Sequence, residues 1–156
     1  MDLDMSKLSE KEQMNLQLIG MMTATTGKYT AKEITASQLA EELVKFVTDD
    51  VVFKTNYTPS WEPLRPLFSE CRGIKDIIAR YDYEEKHEKI KTGVPEDFAI
   101  AGDVMYFSQN EIASFFDKED VQWNMMTKVK FKDGKVCRFD MYLDYQVIED
   151  AYNKYI

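Results

Sequence analysis

The chain has 156 residues, the length of one domain, and its 44% hydrophobic and 31% charged residues are typical of a globular protein. A net charge of −8 disfavours nucleic acid and anionic membranes as partners, because like charges repel at long range. No apolar run reaches the ~20 residues of a membrane span, and the acidic start MDLDMSKLSEKEQ lacks the core of a secretory signal. We therefore expect one cytoplasmic domain over residues 1–156, with residues 1–8 flexible.

Cysteine and histidine are scarce, which limits the kinds of site the chain can build. Cys71 and Cys137 have no metal-like spacing and are expected to be reduced thiols in a cytoplasm. His87 is the only histidine, which excludes sites built from several histidines and the usual zinc sets. We expect no metal and no cofactor. His87 itself is either a proton shuttle at a pocket mouth or a solvated residue at a helix end.

The first third of the chain carries helix signals. Ser9 and Glu12 form a capping box, and apolar residues at helical spacing predict a helix from Ser9 to Thr25 that Gly27 ends. Thr35 or Ser37 caps a second helix, SQLAEELVKFVT, and the β-branched stretch DDVVFKT that follows is typical of a first strand.

The middle of the chain begins with a proline-rich segment, NYTPSWEPLRPLFSE, which predicts an ordered loop or a lid. Its Tyr57 and Trp61 either close over a ligand or pack on the sheet. Gly73 then opens a helix, GIKDIIARYDYEEKHEKI, and residues 88–92 are either its end or a strand. The charged stretch YDYEEKHEK is interpreted as a solvated helix face. Tyr29, in the first helical region, has the reach to enter a cavity.

The last third of the chain changes to strand periodicity. Three long runs rich in β-branched and aromatic residues are separated by the turn signals AGD, DKED and DG. Helices followed by a meander of long antiparallel strands predict an α+β fold in which a curved sheet wraps around the N-terminal helices.

The pair Asp133-Gly134 favours a tight hairpin that sets Phe131 opposite Val136. Counting outward from it pairs Thr127 with Asp140 and Trp123 with Asp144. A four-residue loop in the preceding hairpin further predicts that Asn110 lies across from Thr127.

This register places two carboxyl groups, Asp140 and Asp144, on the face of the sheet that the helices cover. Buried carboxyls among aromatic residues are candidates for general acid or base catalysis, so these two are the predicted catalytic residues. The predicted binding residues on the same face are Tyr142, Trp123, Asn110, Thr127, Tyr106, Met125 and Arg138, with Tyr57 and Trp61 from the loop. The alternative is an Arg138–Asp140 ion pair at a sheet margin, or a register one residue off.

The opposite face of the predicted sheet mixes lysines with apolar residues. Such a half-solvated face is suited to a subunit contact, so we expect a homodimer formed through this outer face. The apolar residues assigned to it are Met126, Cys137, Phe139, Met141 and Leu143.

The order of landmarks VTDDVVF, a proline-rich segment, GIKDII, IAGDVMYF and DGKVCRFDMYLD resembles the SnoaL-like polyketide cyclase group of the nuclear transport factor 2-like superfamily. Ketosteroid isomerases and limonene epoxide hydrolases share its cone-shaped α+β fold. The resemblance covers residues 39–145 and implies that Asp144, the last residue of FDMYLD, acts as acid or base. The epoxide hydrolases pair that aspartate with an Arg and a second Asp on a neighbouring strand, where YFSQNEIAS offers Ser108, Gln109, Asn110 and Glu111, so the full triad is missing. Ketosteroid isomerases have an acid after the first strand, where KTNYTP has none.

Two functions follow from this resemblance and from the predicted cavity. The first is a cofactor-independent enzyme for a small, mostly apolar, polyketide-like or cyclic molecule, with isomerisation, cyclisation, dehydration or hydrolysis catalysed by Asp144 or Asp140. The second is a non-catalytic module that binds such a molecule or serves as a dimerising accessory protein. In either case the expected partner is a small hydrophobic molecule.

Overall fold

A computed structural model describes residues 3–156. The five α-helices are α1 (Glu10–Thr30), α2 (Ala36–Leu43), α3 (Arg65–Phe68), α4 (Ile74–His87) and α5 (Gln146–Tyr152). Single 3-10 turns lie at Met5–Lys7, Glu62–Leu64 and Asn153–Tyr155. Residues 1 and 2, part of the segment predicted to be flexible, lie outside the described residues.

Both N-terminal helices start at the predicted caps. Ser9 and Glu12 form a complete capping box at α1, and Thr35 forms a second one with Gln38 at α2. The predicted end of α1 is wrong, because the helix continues through Gly27 to Thr30. A glycine within a helix costs only about 1 kcal/mol relative to alanine, so it does not end a helix that packing sustains.

The seven strands are β1 (Val47–Thr55), β2 (Cys71–Arg72), β3 (Glu88–Thr92), β4 (Glu96–Ala101), β5 (Val104–Phe115), β6 (Asp120–Lys132) and β7 (Lys135–Leu143). They form one sheet in the order β2-β1-β7-β6-β5-β3, with β4 also paired to β5. The pair β1–β7 is parallel and the others are antiparallel, so the sheet is mixed. The α+β prediction is confirmed, and residues 88–92 prove to be a strand.

The β6–β7 hairpin turns on Asp133 and Gly134, whose φ angles of 52° and 75° are those of a two-residue loop with left-handed backbone. Phe131 pairs with Val136 as predicted, but a bulge follows at once, and Lys130 pairs with Arg138. One extra residue, Cys137, is thereby inserted in β7. Every later pair is shifted by one residue, which exchanges the two faces of β7.

The β5–β6 hairpin also differs from the prediction. Ser114 pairs with Asp120, which leaves a five-residue connection in which Phe116 and Asp117 have positive φ angles. Asn110 therefore lies opposite Asn124 rather than Thr127. The offset between the predicted and the observed register is an odd number of residues, so the faces of β5 are exchanged as well.

The inner face of the sheet supplies most of the core, together with α1, α2 and α4. A second core cluster lies under α5, where the Tyr152 side chain is only 1% exposed. The Tyr152 hydroxyl accepts a hydrogen bond from the Phe115 backbone N–H at 3.0 Å and donates one to the Glu119 carbonyl at 2.9 Å. Between the two clusters the curved sheet leaves space that side chains do not fill.

Candidate functional site

A cavity of about 580 Å³ lies between α1, α4 and the inner face of the sheet. Its walls are mostly aliphatic and aromatic, because the curved sheet turns its alternate apolar side chains towards it. The apolar residues that line it include Ile19, Met22, Leu43, Phe53, Phe68, Phe107, Trp123, Met125, Phe139, Met141 and Leu143. A concave space of this size and character suits a small, mostly apolar ligand.

Exposed lining residues locate the mouth of the cavity. Gly27 and Ala31, at the C-terminal end of α1, line the cavity and are exposed to solvent. Lys91 and Val94, in and after β3, are also exposed lining residues. The opening therefore lies between the end of α1 and the connection from β3 to β4.

An acidic group forms one wall of the cavity. Arg80 and Glu84 lie one helical turn apart on α4, with the Arg80 Nε 4.0 Å from a carboxyl oxygen of Glu84. Glu88 follows four residues later, at the start of β3, and its carboxyl donates a hydrogen bond to that of Glu84. Arg80, Glu84 and Glu88 thus place three ionisable side chains in the wall of an otherwise mostly apolar cavity.

Glu111 completes this group from the opposite side, on β5. It pairs directly with Trp123 of β6, so the two side chains are neighbours on the inner face. The backbone of Gly93 passes close above: a Cβ atom there would lie 3.2 Å from the Glu111 Oε1. The absence of a side chain at Gly93 therefore leaves room for the Glu111 carboxyl.

Burial perturbs the proton affinity of all three carboxyl groups. It raises the pKa of Glu111 from 4.5 to about 7, with a further rise from the charge of Glu84 and a lowering by Arg80. Burial also raises the pKa of Glu84, and it raises that of Glu88 further, with repulsion from Glu84 and Glu111 added. A carboxyl with a pKa near 7 both accepts and donates a proton at neutral pH.

Two buried hydrogen-bond donors on residues that line the cavity have no acceptor among the described residues. They are the Nη1 of Arg80 and the indole Nε1 of Trp123. Burying such a donor without a partner costs about 1–3 kcal/mol. Tyr29 and Tyr81, which also line the cavity, pack edge to face with their ring centres 6.0 Å apart.

Of the residues predicted from the sequence, Trp123 and Met125 line the cavity, as does Tyr29. Thr127 faces inward and is 1% exposed, but it lies outside the cavity lining. Its side-chain oxygen has no hydrogen-bond partner among the described residues.

The register on which the two catalytic aspartates were predicted is wrong, since the Cys137 bulge turns Asp140 and Asp144 to the outer face. Arg138 donates a hydrogen bond to Asp140 at 2.8 Å on that face, as in the alternative interpretation. Asp144 is exposed to solvent. Neither carboxyl group lines the cavity.

The register changes in β5 and β7 also place four predicted binding residues on the outer face: Tyr142, Tyr106, Asn110 and Arg138. Tyr142 is 51% and Tyr106 41% exposed. Conversely, Phe139, Met141 and Leu143, which were assigned to the outer face, line the cavity.

Tyr57 and Trp61, the predicted binding residues of the proline-rich segment, pack within the protein and lie outside the cavity lining. The Tyr57 hydroxyl donates a hydrogen bond to Glu149 at 2.7 Å, and its ring stacks on Tyr145. Trp61 packs against Phe116 and the C-terminal tyrosines. His87, at the end of α4, stacks on Phe116 with ring centres 4.5 Å apart and is also absent from the lining.

The acidic group was missed because the charged stretch that contains Glu84 and Glu88 was interpreted as a solvated face. A signal for Glu111 was nevertheless present in β5. Met105, Phe107, Gln109, Glu111, Ala113 and Phe115 alternate along the strand and share one face. A single carboxyl in such a row is a candidate for a buried acid.

Within residues 3–156, no group of three His, Cys, Asp or Glu side chains is placed so that it could hold a metal ion. In the same range, no helix is both long enough and apolar enough to cross a membrane.

No protein-family model matches the sequence, and no curated protein matches it either. Solved structures do resemble it. An NTF2-like protein from Burkholderia xenovorans has 15% identity and a TM-score of 0.73 over 92% of this chain and 98% of its own. A protein assigned as an isomerase from Bacillus subtilis has 14% identity and a TM-score of 0.65 over 93% and 96%. A protein assigned as a SnoaL-like polyketide cyclase from Jannaschia has 15% identity and a TM-score of 0.64 over 96% of each chain.

Proposed function

Since the chain has the nuclear transport factor 2-like fold, with an acid-lined cavity under its curved sheet, we propose that it binds a small, mostly apolar molecule there and transfers a proton within it. The observation that carries this proposal is Glu111, a carboxyl of pKa about 7 set among apolar walls. Proton transfer of this kind needs no cofactor. The reaction class is isomerisation, cyclisation or dehydration, and structural neighbours assigned as isomerases and cyclases support it.

In this proposal Glu111 is the base. Its carboxylate takes a proton from a carbon or oxygen atom of the bound molecule, and the electron pair left behind moves to a neighbouring electronegative atom. Arg80, the cation in the cavity wall, stabilises the negative charge that develops on that atom. Glu111 then returns the proton to a different atom, or Glu88, whose raised pKa favours its protonated form, supplies one.

A non-catalytic binding module is the second candidate function. It is favoured by the position of Asp144, the residue to which the resemblance assigns the acid–base role, which is exposed outside the cavity. In this case Glu111 would recognise the ligand without changing it.

We also propose a homodimer formed through the outer face of the sheet. The exposed side chains of Tyr106, Met126 and Tyr142 support this, since large apolar groups on a solvated sheet face are typical of a subunit contact. Their apolar surface is flanked by a chain of amide hydrogen bonds that links Gln122, Asn110 and Asn124.

Deuterium exchange into β-tetralone, an apolar bicyclic ketone small enough to enter the cavity, tests the catalytic proposal. We expect the protein to accelerate loss of the α-proton NMR signals in D₂O, and the Glu111→Gln variant to lose that acceleration by at least tenfold. Asp82→Asn, which neutralises an exposed carboxyl on the same helix as Glu84, is the matched control and should leave the rate unchanged.

The two candidate functions give different results in this experiment. Saturable binding of β-tetralone without accelerated exchange would favour the binding module. Acceleration that persists in Glu111→Gln would reject Glu111 as the base.

A further inference from the structure

The outward side of α1 carries a regular line of residues. Asn15, Ile19 and Met22 face the core, and on the opposite side exposed residues recur at alternating intervals of four and three. Residues at this spacing form one line along a helix, and two helices pack side by side along such lines. We call this line the α1 seam; its six residues, all exposed, are Glu10, Met14, Gln17, Met21, Ala24 and Lys28.

The middle of the α1 seam is apolar and uncovered. The side chain of Met14 is 60% exposed and that of Met21 is 51% exposed. Gly20 lies beside them, and a Cβ atom built on it would have no atom of the rest of the chain within 4 Å. Nothing in residues 3–156 therefore packs on this side of the helix, and a partner that covered the two methionines would remove apolar surface from water.

The two ends of the α1 seam carry opposite charges. Glu10 lies in the first turn of the helix and Lys28 in the last. Neither side chain forms an ion pair or a hydrogen bond within residues 3–156. A second copy of α1 in antiparallel orientation brings Glu10 of one molecule against Lys28 of the other at both ends, whereas a parallel copy sets like charges together. The charges therefore favour an antiparallel second copy as the partner.

The remaining seam residues are complementary in the same arrangement. A two-fold axis at the level of Ile19 pairs Glu10 with Lys28, and it also sets Met14 opposite Ala24. A large side chain then packs over a small one, which lets the two helices approach. The pairing is isologous, so each contact occurs twice, and the antiparallel helix dipoles attract each other.

We propose that α1 is a contact surface for a second copy of this chain, in which two α1 helices pair antiparallel along their seams. The proposed sheet contact lies on the outer face of the sheet, whereas α1 packs against the inner face, so the two contacts use separate surfaces. A single pair of helices buries less than the ~1,200 Å² of a stable interface, so this contact is weak and forms at high protein concentration.

A charge exchange tests the pairing. Sedimentation equilibrium of Met126→Glu, which removes the proposed sheet contact, should show the mass rising from monomer towards dimer up to about 1 mM protein. Adding Lys28→Glu sets two carboxylates together and should weaken this association at least fivefold. Adding Glu10→Lys as well should restore it to within twofold. Lys86→Glu makes the same charge change on the exposed side of α4 and is the control, which should leave the association unchanged.

Two outcomes of this experiment would overturn the proposal. One is a Met126→Glu protein whose mass does not depend on concentration. The other is an association constant that Lys28→Glu leaves unchanged, or that the double exchange does not restore. Circular dichroism checks that each variant is folded.

Cysteine cross-linking tests the orientation separately. In a Cys137→Ala background the remaining native thiol, Cys71, is buried. Copies with Met14→Cys, mixed with copies carrying Ala24→Cys, should form the mixed disulfide at least fivefold faster than either forms its own. Identical positions on the two antiparallel helices are about 15 Å apart, too far for a disulfide.

Ser37→Cys, at an exposed position on α2, replaces Ala24→Cys in the control mixture and should link to Met14→Cys only at the background rate. Mass spectrometry resolves the mixed product from the two others. Linking within either single variant that equals or exceeds the mixed rate would overturn the antiparallel pairing.

Discussion

Glu111 and Trp123 face each other across β5 and β6, and the two residues bring together a carboxyl with a pKa of about 7 and an indole N–H without a protein acceptor. Each is unfavourable in a folded protein that binds nothing: a buried carboxyl is costly once it ionises, and a buried donor is costly without a partner. Together they mark the polar end of a cavity whose other walls are apolar.

Replacing Glu111 by glutamine should stabilise the protein at pH 8 and have little effect at pH 4. The folded state keeps a proton on Glu111 up to about pH 7, whereas the unfolded chain releases it near 4.5. Stability contributed by this proton is complete below pH 4.5 and is lost as the pH rises through 7. Each pKa unit corresponds to about 1.4 kcal/mol, so the gain at pH 8 should be at most about 3 kcal/mol.

Urea unfolding of the wild type and the variant at both pH values measures this difference. Glu84 and Glu88 are present in both proteins, so the comparison reports Glu111 together with its electrostatic interaction with those two carboxyls. A gain in unfolding free energy that is the same at pH 4 and pH 8 would contradict the buried position of the carboxyl.

Deleting Cys137 should leave the protein folded. The deletion removes the bulge residue, so a hairpin that keeps its Asp133-Gly134 turn still pairs Lys130 with Arg138, and Phe139, Met141 and Leu143 still face inward. Cys137→Ala keeps the bulge and is the control, and thermal denaturation should show both variants folded. A deletion variant that is unfolded while Cys137→Ala is folded would contradict this account of the register.

Tyr152→Phe should lower the unfolding free energy by about 1–3 kcal/mol. The change removes one buried hydroxyl and leaves the Phe115 N–H and the Glu119 carbonyl without that partner. Tyr155→Phe, whose lost hydroxyl bonds to the side chain of Glu119, is the control and should cost less because that residue is more exposed. If α5 were only loosely attached, chemical denaturation would show a larger loss of unfolding free energy for Tyr155→Phe than for Tyr152→Phe.

Placing a charge at the centre of the outer sheet face should break the proposed dimer. Met126→Glu introduces a carboxylate between the side chains of Tyr142 and Ser108, its partners on the two neighbouring strands. Size-exclusion chromatography with light scattering should report a dimer for the wild type and a monomer for the variant. A wild-type protein that is monomeric at high concentration would reject the proposed interface.

The fold was accessible from the sequence because its main signals are local. Ser9 and Thr35 carry capping boxes, Gly73 precedes α4, and Asp133-Gly134 fixes the last hairpin at Phe131 and Val136. Each of these depends on residues within one turn of one another, so no knowledge of tertiary packing is needed to identify them.

Which side chains of β5 and β7 face inward could not be predicted from the sequence in the same way. A single inserted residue at Cys137 and two left-handed residues at Phe116 and Asp117 decide which carboxyls are inside, and neither feature has a strong sequence mark. Asp140 and Asp144 were therefore assigned to the interior and Glu111 was not. Only the alternation of apolar residues along β5 indicated that Glu111 faces inward.

The central claim is that Glu111 is a buried acid that exchanges its proton near neutral pH. A carbon-13 NMR titration of the glutamate side-chain carboxyls, with Glu111→Gln used to assign the resonance, measures this directly. The account predicts a midpoint near pH 7 that moves when β-tetralone is added. A midpoint near 4.5 that ligands leave unchanged would contradict it.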